Sequence, residues 1–443
     1  MTGAVFVPRY IALIGLLLIS PVKAQTFEDF ERRIDAAFAD TDAQIEADFL
    51  ALEEAIDRAF NGLTDRISVN WGDDVQLPSK TTWVTYNDTF NTRISLDYAT
   101  NMVTVEAITE PDDLAREQAI DDVVAMVALV KTADKSTLDN NDQFMVAVDT
   151  ALEQESLATA VSADDVPVEV GNSGASDASS SSLATVDPSN GNADTAVTIE
   201  SLLIDVNEAV LRRRVIETFD QTKTASSTIG SEEAIAGELQ PTETGQVKVK
   251  IQFPFSNKFQ QAFIERYLEG VRDLTRRYGM DVATLLAIIE TESSFNPRAM
   301  SPIPAFGLMQ IVPTTAGIDA YRYLYGEKRV VTPDYLFDAS NNIQMGAAYF
   351  HLLSTRYLAG VEDPHNRFLC AVASYNTGIG NLAKTFTRGR ASLSDAVAII
   401  NTMSPEEVEA YLLEYLPAAE TRNYVVKIIK RRQQYRYLNE VAT

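Results

Sequence analysis

Residues 281–297 read DVATLLAIIETESSFNP, and this stretch decides the fold of the C-terminal part of the chain. Asp281 is a typical N-cap residue. The apolar residues after it follow the spacing of one buried helix face: Val282, Leu285, Leu286 and Ile289. We therefore predict a helix from Asp281 to about Ser294.

Two glutamates near the end of this helix lie on different sides of it. Glu292 continues the apolar face, whereas Glu290 lies about 200° around the axis, so the two cannot act as a catalytic pair. Burial and the negative end of the helix dipole both disfavour ionisation of Glu292. That environment suits a general acid at neutral pH. The alternative is a glutamate that caps a loop through hydrogen bonds.

The chain around this helix also has a helical pattern. Helices are predicted at 258–278, 341–357, 367–375 and 405–438, the last with a break near Pro417. No strand pattern of comparable strength follows Phe255. Residues 256–443 are therefore predicted to form a domain that is all or nearly all helix.

An 11-residue repeat marks an acidic segment at 25–66. It reads IDAAF at 34–38, IEADF at 45–49 and IDRAF at 56–60. Eleven residues span three helical turns, so the repeat predicts a long helix with one apolar stripe. The stripe consists of Ile34, Phe38, Ile45, Phe49, Ile56 and Phe60. Either the chain's own next domain covers it, or a second copy does so by self-association as a coiled coil.

Residues 67–135 have the pattern of a small α+β domain. Strands are predicted at TTWVTY (81–86), FNTRISLDY (90–98) and MVTVEAI (102–108), followed by a helix at 112–130. Residues 136–198 are acidic and Ser-rich, which predicts a linker or insertion. A helix near 199–219 and a strand at 247–253, within 199–255, are expected to rejoin the N-terminal domain, the strand as part of the earlier sheet. The predicted fold class is α+β overall.

The N-terminus is typical of export. An apolar run at 10–19 follows Arg9 and precedes small residues near Ala24, which predicts a cleaved signal peptide at 1–24. An uncleaved anchor is the alternative. The single cysteine, Cys370, lies far from the cleavage point, so we expect neither a lipobox nor an internal disulfide. Cys370 lies in an apolar run and is predicted to be a buried side chain.

Charge and composition exclude several functions. The net charge is −26, which argues against a nucleic-acid partner. The two histidines, His351 and His365, are not at ligand spacing, so we expect no metal and no cofactor.

Five segments of the C-terminal part together resemble the lytic transglycosylase family. They are IETESSFNPRAMS, AFGLMQIVPTTA, NNIQMGAAYF, ASYNTGIG and ETRNYV, in that order between residues 289 and 425. The stretch NWGDDVQLPSKTTWVTYNDTFNTRISLDY resembles the domain that precedes the catalytic domain in a membrane-bound member of this family. The resemblance implies a lysozyme-like catalytic domain acting on peptidoglycan. The predicted signal peptide, without a lipobox cysteine, predicts a periplasmic location.

The resemblance also implies roles for individual residues. Glu292 would be the sole catalytic acid/base, and Tyr424 would hydrogen-bond it. The remaining substrate-binding residues would be Ser293, Ser301, Met309, Gln310, Tyr375 and Asn376. Met309, Tyr375 and Tyr424 could instead be packing residues. Ser374 stands where the family usually has alanine.

One carboxylate is enough if the substrate supplies the nucleophile, whereas glycosidases normally use two. The N-acetylmuramyl 2-acetamido oxygen can attack C1, and the C6 hydroxyl can then close a 1,6-anhydro ring. The expected activity is cleavage of the MurNAc-GlcNAc β-1,4 bond. A lysozyme-type hydrolase and a non-catalytic cell-wall-binding module are the alternatives.

Overall fold

The computed structural model describes residues 27–132, 137–138, 141–151, 204–220, 235–256, 258–301 and 305–439. The chain divides into two units, residues 1–50 and 51–443. The predicted signal peptide at 1–24 and residues 152–198 of the predicted linker lie outside the described residues. Within the described part, every helix is too short or too polar to span a bilayer.

Helix α1 is the long N-terminal helix, Phe27–Trp71, of 45 residues. At the last repeat, Ile56 is buried and the Phe60 ring lies 4.5 Å from the ring of Phe144 between centroids. The chain's own core therefore covers this end of the apolar stripe. The side chains of Ile34, Phe38, Ile45 and Phe49 lie outside the described part of the chain.

One antiparallel sheet of five strands forms the centre of the region that follows α1. Its strands are β1 (Thr82–Tyr86), β2 (Thr92–Asp97), β3 (Met102–Thr109), β4 (Ala236–Pro241) and β5 (Val247–Pro254), in the order β1-β2-β3-β5-β4. The strand predicted at 247–253 lies in this sheet, where β5 pairs with β3 in the register Val105↔Ile251. Edge strand β4 was not predicted.

Two helices accompany the sheet, α2 (Asp113–Thr132) and α3 (Glu208–Asp220). The prediction that the second helix begins near 199 was wrong. Asn207 begins it instead, because its side-chain oxygen accepts the Ala209 N–H at 2.9 Å.

The linker was also predicted to begin too early. Residues 143–151 are helical, and Phe144 and Val148 are buried in the core. The apolar residues in this short segment recur at helical spacing, which outweighs its acidic composition.

A buried charge cluster joins the loop after α1 to the sheet. Arg93 has no exposed surface and binds Glu106 at 2.7 Å and Asp74 at 3.1 Å. Lys248 on β5 binds Asp74 at 2.9 Å. Because the Asp74 carbonyl also accepts from Arg93, the loop from residue 72 to residue 81 is tied to the sheet near its start.

The described C-terminal region is helical apart from isolated bridges at 300–311. Its helices are α4 (Phe259–Tyr278), α5 (Val282–Ser293), α6 (Ala316–Tyr325), α7 (Pro333–Phe337), α8 (Ala339–Leu352, continued by a π-helical turn at Leu353–Tyr357), α9 (Pro364–Thr377), α10 (Ile379–Phe386), α11 (Leu393–Ile400), α12 (Pro405–Tyr415) and α13 (Ala419–Tyr435). The fold class is α+β, as predicted. The break predicted near Pro417 separates α12 from α13.

Helix α5 is the helix predicted from the opening stretch, and Asp281 caps it by accepting the Thr284 N–H at 2.8 Å. The prediction of a single buried face was too narrow. Ten of its residues are buried, and only Glu290 and Thr291 are not. Helix α13 packs along α5, so neighbouring helices enclose nearly all of it. Helix α9 lies nearby and holds Cys370, which is buried as predicted.

Candidate active site

Glu292 is a buried carboxyl at the end of α5, and the residue is only 6% exposed. Burial raises the pKa of Glu292 from 4.5 to about 7, and Lys80 and Tyr424 oppose this shift. A carboxyl with this pKa is substantially protonated at neutral pH and can give up a proton there.

Two tyrosines lie near Glu292. The Tyr424 hydroxyl on α13 is buried beside the Glu292 carboxyl, and hydrogen bonding between the two lowers the pKa of Glu292. The Tyr375 hydroxyl on α9 donates to the Met309 carbonyl at 2.9 Å. Burial, and secondly the Glu292 charge, raise the pKa of both tyrosines, so both remain neutral hydrogen-bonding groups.

The loop before α6 brings the predicted residues Met309 and Gln310 to this region. Gln310 has a positive φ of 49° and donates from its amide to the Ala299 carbonyl at 3.0 Å and the Gly307 carbonyl at 3.1 Å. Its side-chain oxygen is buried without a partner among the described residues. Most buried polar atoms in proteins have a hydrogen-bond partner, so this oxygen is an exception.

The remaining predicted residues have different surroundings. Ser293 is fully buried, and its hydroxyl donates to the Ile289 carbonyl at 3.0 Å within α5. The Ser301 hydroxyl accepts the Ala305 N–H at 3.3 Å. Asn376 is partly exposed at the end of α9. Met309 has no exposed surface, so in this structure it packs in the core.

Asn342 on α8 holds the Gln310 loop in place, a role that the sequence did not reveal. Its oxygen accepts the Met309 N–H at 2.7 Å. Its amide donates to the carbonyls of Phe306 at 2.8 Å and Leu336 at 2.7 Å. Asn342 has no exposed surface, so all of these bonds form out of contact with water. A polar residue inside an apolar helix, as in NNIQMGAAYF, was the available signal.

Glu290 faces away from Glu292, as predicted. It accepts the Tyr435 hydroxyl at 2.9 Å and pairs with Arg431 at 3.3 Å. These contacts give Glu290 a structural role.

Lys80 and Glu420 also lie at the site and were not predicted there. Both are near enough to act electrostatically on Glu292, Lys80 favouring its ionised form and Glu420 disfavouring it. They form an ion pair of 3.7 Å with each other. Lys80 comes from the loop before β1, so the region that precedes the helical domain contributes to the site.

Two open pockets lie away from Glu292. One, of about 640 Å³, surrounds the start of α5 at Asp281, and another, of about 740 Å³, adjoins Glu290. We therefore identify the candidate active site from the side chains around Glu292 and not from either pocket. Among the described residues, no group of three or more His, Cys, Asp or Glu side chains is placed to hold a metal ion.

Two family models match the chain in this region and before it. Residues 270–397 match the transglycosylase SLT domain, which contains Glu292, Gln310 and Tyr375. Residues 49–152 match the N-terminal domain of membrane-bound lytic murein transglycosylase C. The resemblance to lytic transglycosylases is thus confirmed by the SLT match over residues 270–397.

Individual curated proteins are also similar to this chain. The chain is 41% identical over 171 residues to membrane-bound lytic murein transglycosylase C of Mannheimia succiniciproducens, covering 39% of this chain and 47% of the relative. The same protein of Yersinia pestis is 42% identical with the same coverage. The match thus spans about half the length of these relatives. Among solved structures, the 70 kDa soluble lytic transglycosylase of Escherichia coli is 25% identical over 38% of this chain and 24% of its own, with a TM-score of 0.28.

Proposed function

We propose that this protein is a peptidoglycan lytic transglycosylase, a lyase that cleaves the MurNAc-GlcNAc β-1,4 bond and leaves a 1,6-anhydro-MurNAc end. The observation that carries the proposal is the buried Glu292 carboxyl, whose pKa of about 7 lets it act first as an acid and then as a base. The SLT match over residues 270–397 agrees with this chemistry.

The reaction needs two proton transfers, and Glu292 performs both. Protonated Glu292 gives its proton to the leaving glycosidic oxygen while the 2-acetamido oxygen of the muramyl residue bonds to C1. Ionised Glu292 then takes the proton of the C6 hydroxyl, whose oxygen bonds to C1 and releases the acetamido oxygen. The products are an anhydro end and a free GlcNAc hydroxyl, and no water is consumed.

Other side chains would bind the glycan around Glu292. The unpartnered oxygen of Gln310 would accept a hydrogen bond from a sugar hydroxyl or amide. The Tyr424 hydroxyl would remain beside the Glu292 carboxyl in both of its protonation states. Tyr375 and Asn376 would close the cleft, with Met309 behind Tyr375 and with Ser293 and Ser301 shaping the ends of α5 and the following loop.

Glu420 is a second carboxylate near Glu292, but the proposed mechanism does not use it as a catalytic group. Its side chain is 76% exposed and paired with Lys80, which does not suit a nucleophile held against C1. A two-carboxylate hydrolase would lose turnover in Glu420→Gln, whereas the proposed mechanism retains it.

Digestion of purified murein tests the proposal. Mass spectrometry of the released muropeptides should show anhydro ends, each lighter by one water than a hydrolysed end. Free reducing ends would instead identify a lysozyme-type hydrolase, and binding without products would identify a cell-wall-binding module. Glu292→Gln should bind glycan and release no products. Because murein lies outside the cytoplasmic membrane, we place this activity in the periplasm.

A further inference from the structure

We infer that Lys80, which lies outside the SLT domain, is a positioning residue for the proposed reaction: it stabilises the ionised form of Glu292 that the second proton transfer requires. The inference rests on the proposed function. It assigns to the region preceding the helical domain a direct part in the chemistry.

The backbone at Lys80 is held against the catalytic region. The Asn296 amide donates to the Lys80 carbonyl at 3.4 Å, and the Met300 N–H donates to the Ser79 carbonyl at 3.2 Å. Asn296 and Met300 lie in the segment that directly follows α5. The loop that carries Lys80 is therefore fixed beside the end of the helix that carries Glu292.

Both ends of this loop are also fixed to the sheet. Near its start, Asp74 binds Arg93 and Lys248. Near its end, the Ser79 hydroxyl accepts the Thr82 N–H at 3.0 Å, where β1 begins. The side chain of an exposed lysine normally moves freely. The loop that carries Lys80 is held by these contacts at both ends and beside α5, which restricts where the Lys80 ammonium group can lie.

The charges around Glu292 make Lys80 its main electrostatic support. Glu420 and Tyr424 face Glu292 from α13, and Tyr375 faces it from α9. Tyr375 and Tyr424 are neutral and Glu420 is negative, so Lys80 is the cation among these groups. Arg431, also on α13, is engaged by Glu290.

The mechanism explains why such a cation is useful. Burial favours neutral Glu292, which assists the first proton transfer but opposes the carboxylate that must remain afterwards. Lys80 offsets this opposition without a direct ion pair, because its ammonium group pairs with Glu420 instead. Glu292 can then exist in both protonation states near neutral pH.

The test compares the full chain with four variants: Lys80→Met, Lys80→Arg, Glu420→Gln and, as a control on the exposed surface of α10, Lys384→Met. The pH dependence of kcat/KM on soluble glycan strands gives the pKa of the acid in the free enzyme. In Lys80→Met the alkaline limb should move up by roughly one pH unit, and kcat should fall. Glu420→Gln should move the limb down, while Lys80→Arg and Lys384→Met should match the wild type.

A second readout does not depend on turnover. Titration of ¹³C-labelled glutamate carboxyls by NMR, with Glu292 assigned by the signal lost in Glu292→Gln, should show the same shifts. A titration of Lys80→Met that superimposes on the wild type would overturn the inference. A raised KM or a uniform loss of kcat without a pH shift would also overturn it, since these indicate substrate contact or structural damage. If the wild type releases no anhydro ends, the proposed function fails, and the titration still decides the role of Lys80.

Discussion

The Tyr435 hydroxyl donates a hydrogen bond of 2.9 Å to the Glu290 carboxylate. Glu290 is two residues from Glu292 in sequence but faces another part of the protein, towards the last turns of α13. There it also pairs with Arg431 at 3.3 Å. The two glutamates of α5 therefore have separate surroundings, and only Glu292 has a part in the proposed chemistry.

Glu290→Gln should retain turnover close to the wild type, because Glu290 does not face the site. The variant loses an ion pair that is partly exposed, so its free energy of unfolding should fall by about 1 kcal/mol or less. Muropeptide release and urea unfolding, run beside Glu292→Gln, measure both effects. A loss of turnover in Glu290→Gln equal to that of Glu292→Gln would contradict the separation of functions.

Asn342→Ala should strongly destabilise the protein and reduce turnover. The change leaves the Met309 N–H and the Leu336 carbonyl buried without this partner, and the Phe306 carbonyl keeps only the Ile311 N–H, at a total cost of about 3 kcal/mol. The Gln310 loop would lose its support, so KM for glycan should rise.

Asn401→Ala is the matched control for that variant. Asn401 also bonds two backbone groups, accepting the Glu362 N–H at 3.0 Å and donating to the Gly360 carbonyl at 2.9 Å, but it is exposed. Water can replace these bonds, so its cost should stay near about 1 kcal/mol with unchanged KM. Equal thermal shifts in the two variants would show that Asn342 has no special role.

The position of Glu292 on α5 was predictable because it depends only on residues of the same helix. The spacing of Leu285, Ile289 and Glu292 defines one face, and Asp281 defines the start of the helix. The failure of the single-face prediction has a physical reason. The helix is enclosed by α13 and its neighbours, and a periodic pattern cannot reveal how many sides of a helix are covered.

The contributions of Lys80 and β4 were not predictable, for a different reason. Lys80 reaches the site only because the Ser79 and Lys80 carbonyls bond to Met300 and Asn296, more than 200 residues away in sequence. Strand β4 lies at the edge of the sheet with its residues partly exposed, so it has no apolar alternation. In both cases the structure depends on hydrogen bonds between segments that the sequence pattern alone does not connect.

Gly346→Ala should reduce both stability and turnover. A Cβ at Gly346 would lie 2.3 Å from the Met309 sulfur and 2.8 Å from the Met309 Cβ, so Met309 must move. Such overpacking costs about 1 to 3 kcal/mol. Because the Met309 carbonyl accepts the Tyr375 hydroxyl, the displacement should also disturb the site.

Gly270→Ala in α4 is the control, since an alanine Cβ there would meet no described atom within 4 Å beyond its chain neighbours and the backbone of its own helix. At this site alanine should raise the melting temperature, because it favours a helix by up to about 1 kcal/mol over glycine. Melting curves and murein digestion compare the two variants. A Gly346→Ala protein as stable and active as Gly270→Ala would refute the packing argument.

Glu292→Gln should be more stable than the wild type above neutral pH. The pKa of Glu292 is about 7 in the folded protein against 4.5 for the ordinary carboxyl, so the folded state holds its proton more tightly than the unfolded state. Stability from this group is fully present below pH 4.5 and is lost as the pH rises to about 7. At 1.36 kcal/mol per pH unit, the loss is roughly 3 kcal/mol.

Glutamine carries no charge, so Glu292→Gln does not lose this stability as the pH rises. Urea unfolding at pH 4.5 and pH 8.5 should therefore show an advantage of Glu292→Gln that grows with pH. A stability difference between wild type and Glu292→Gln that is the same at both pH values would mean that Glu292 ionises freely in the folded protein, and its role as a neutral-pH acid would have to be abandoned.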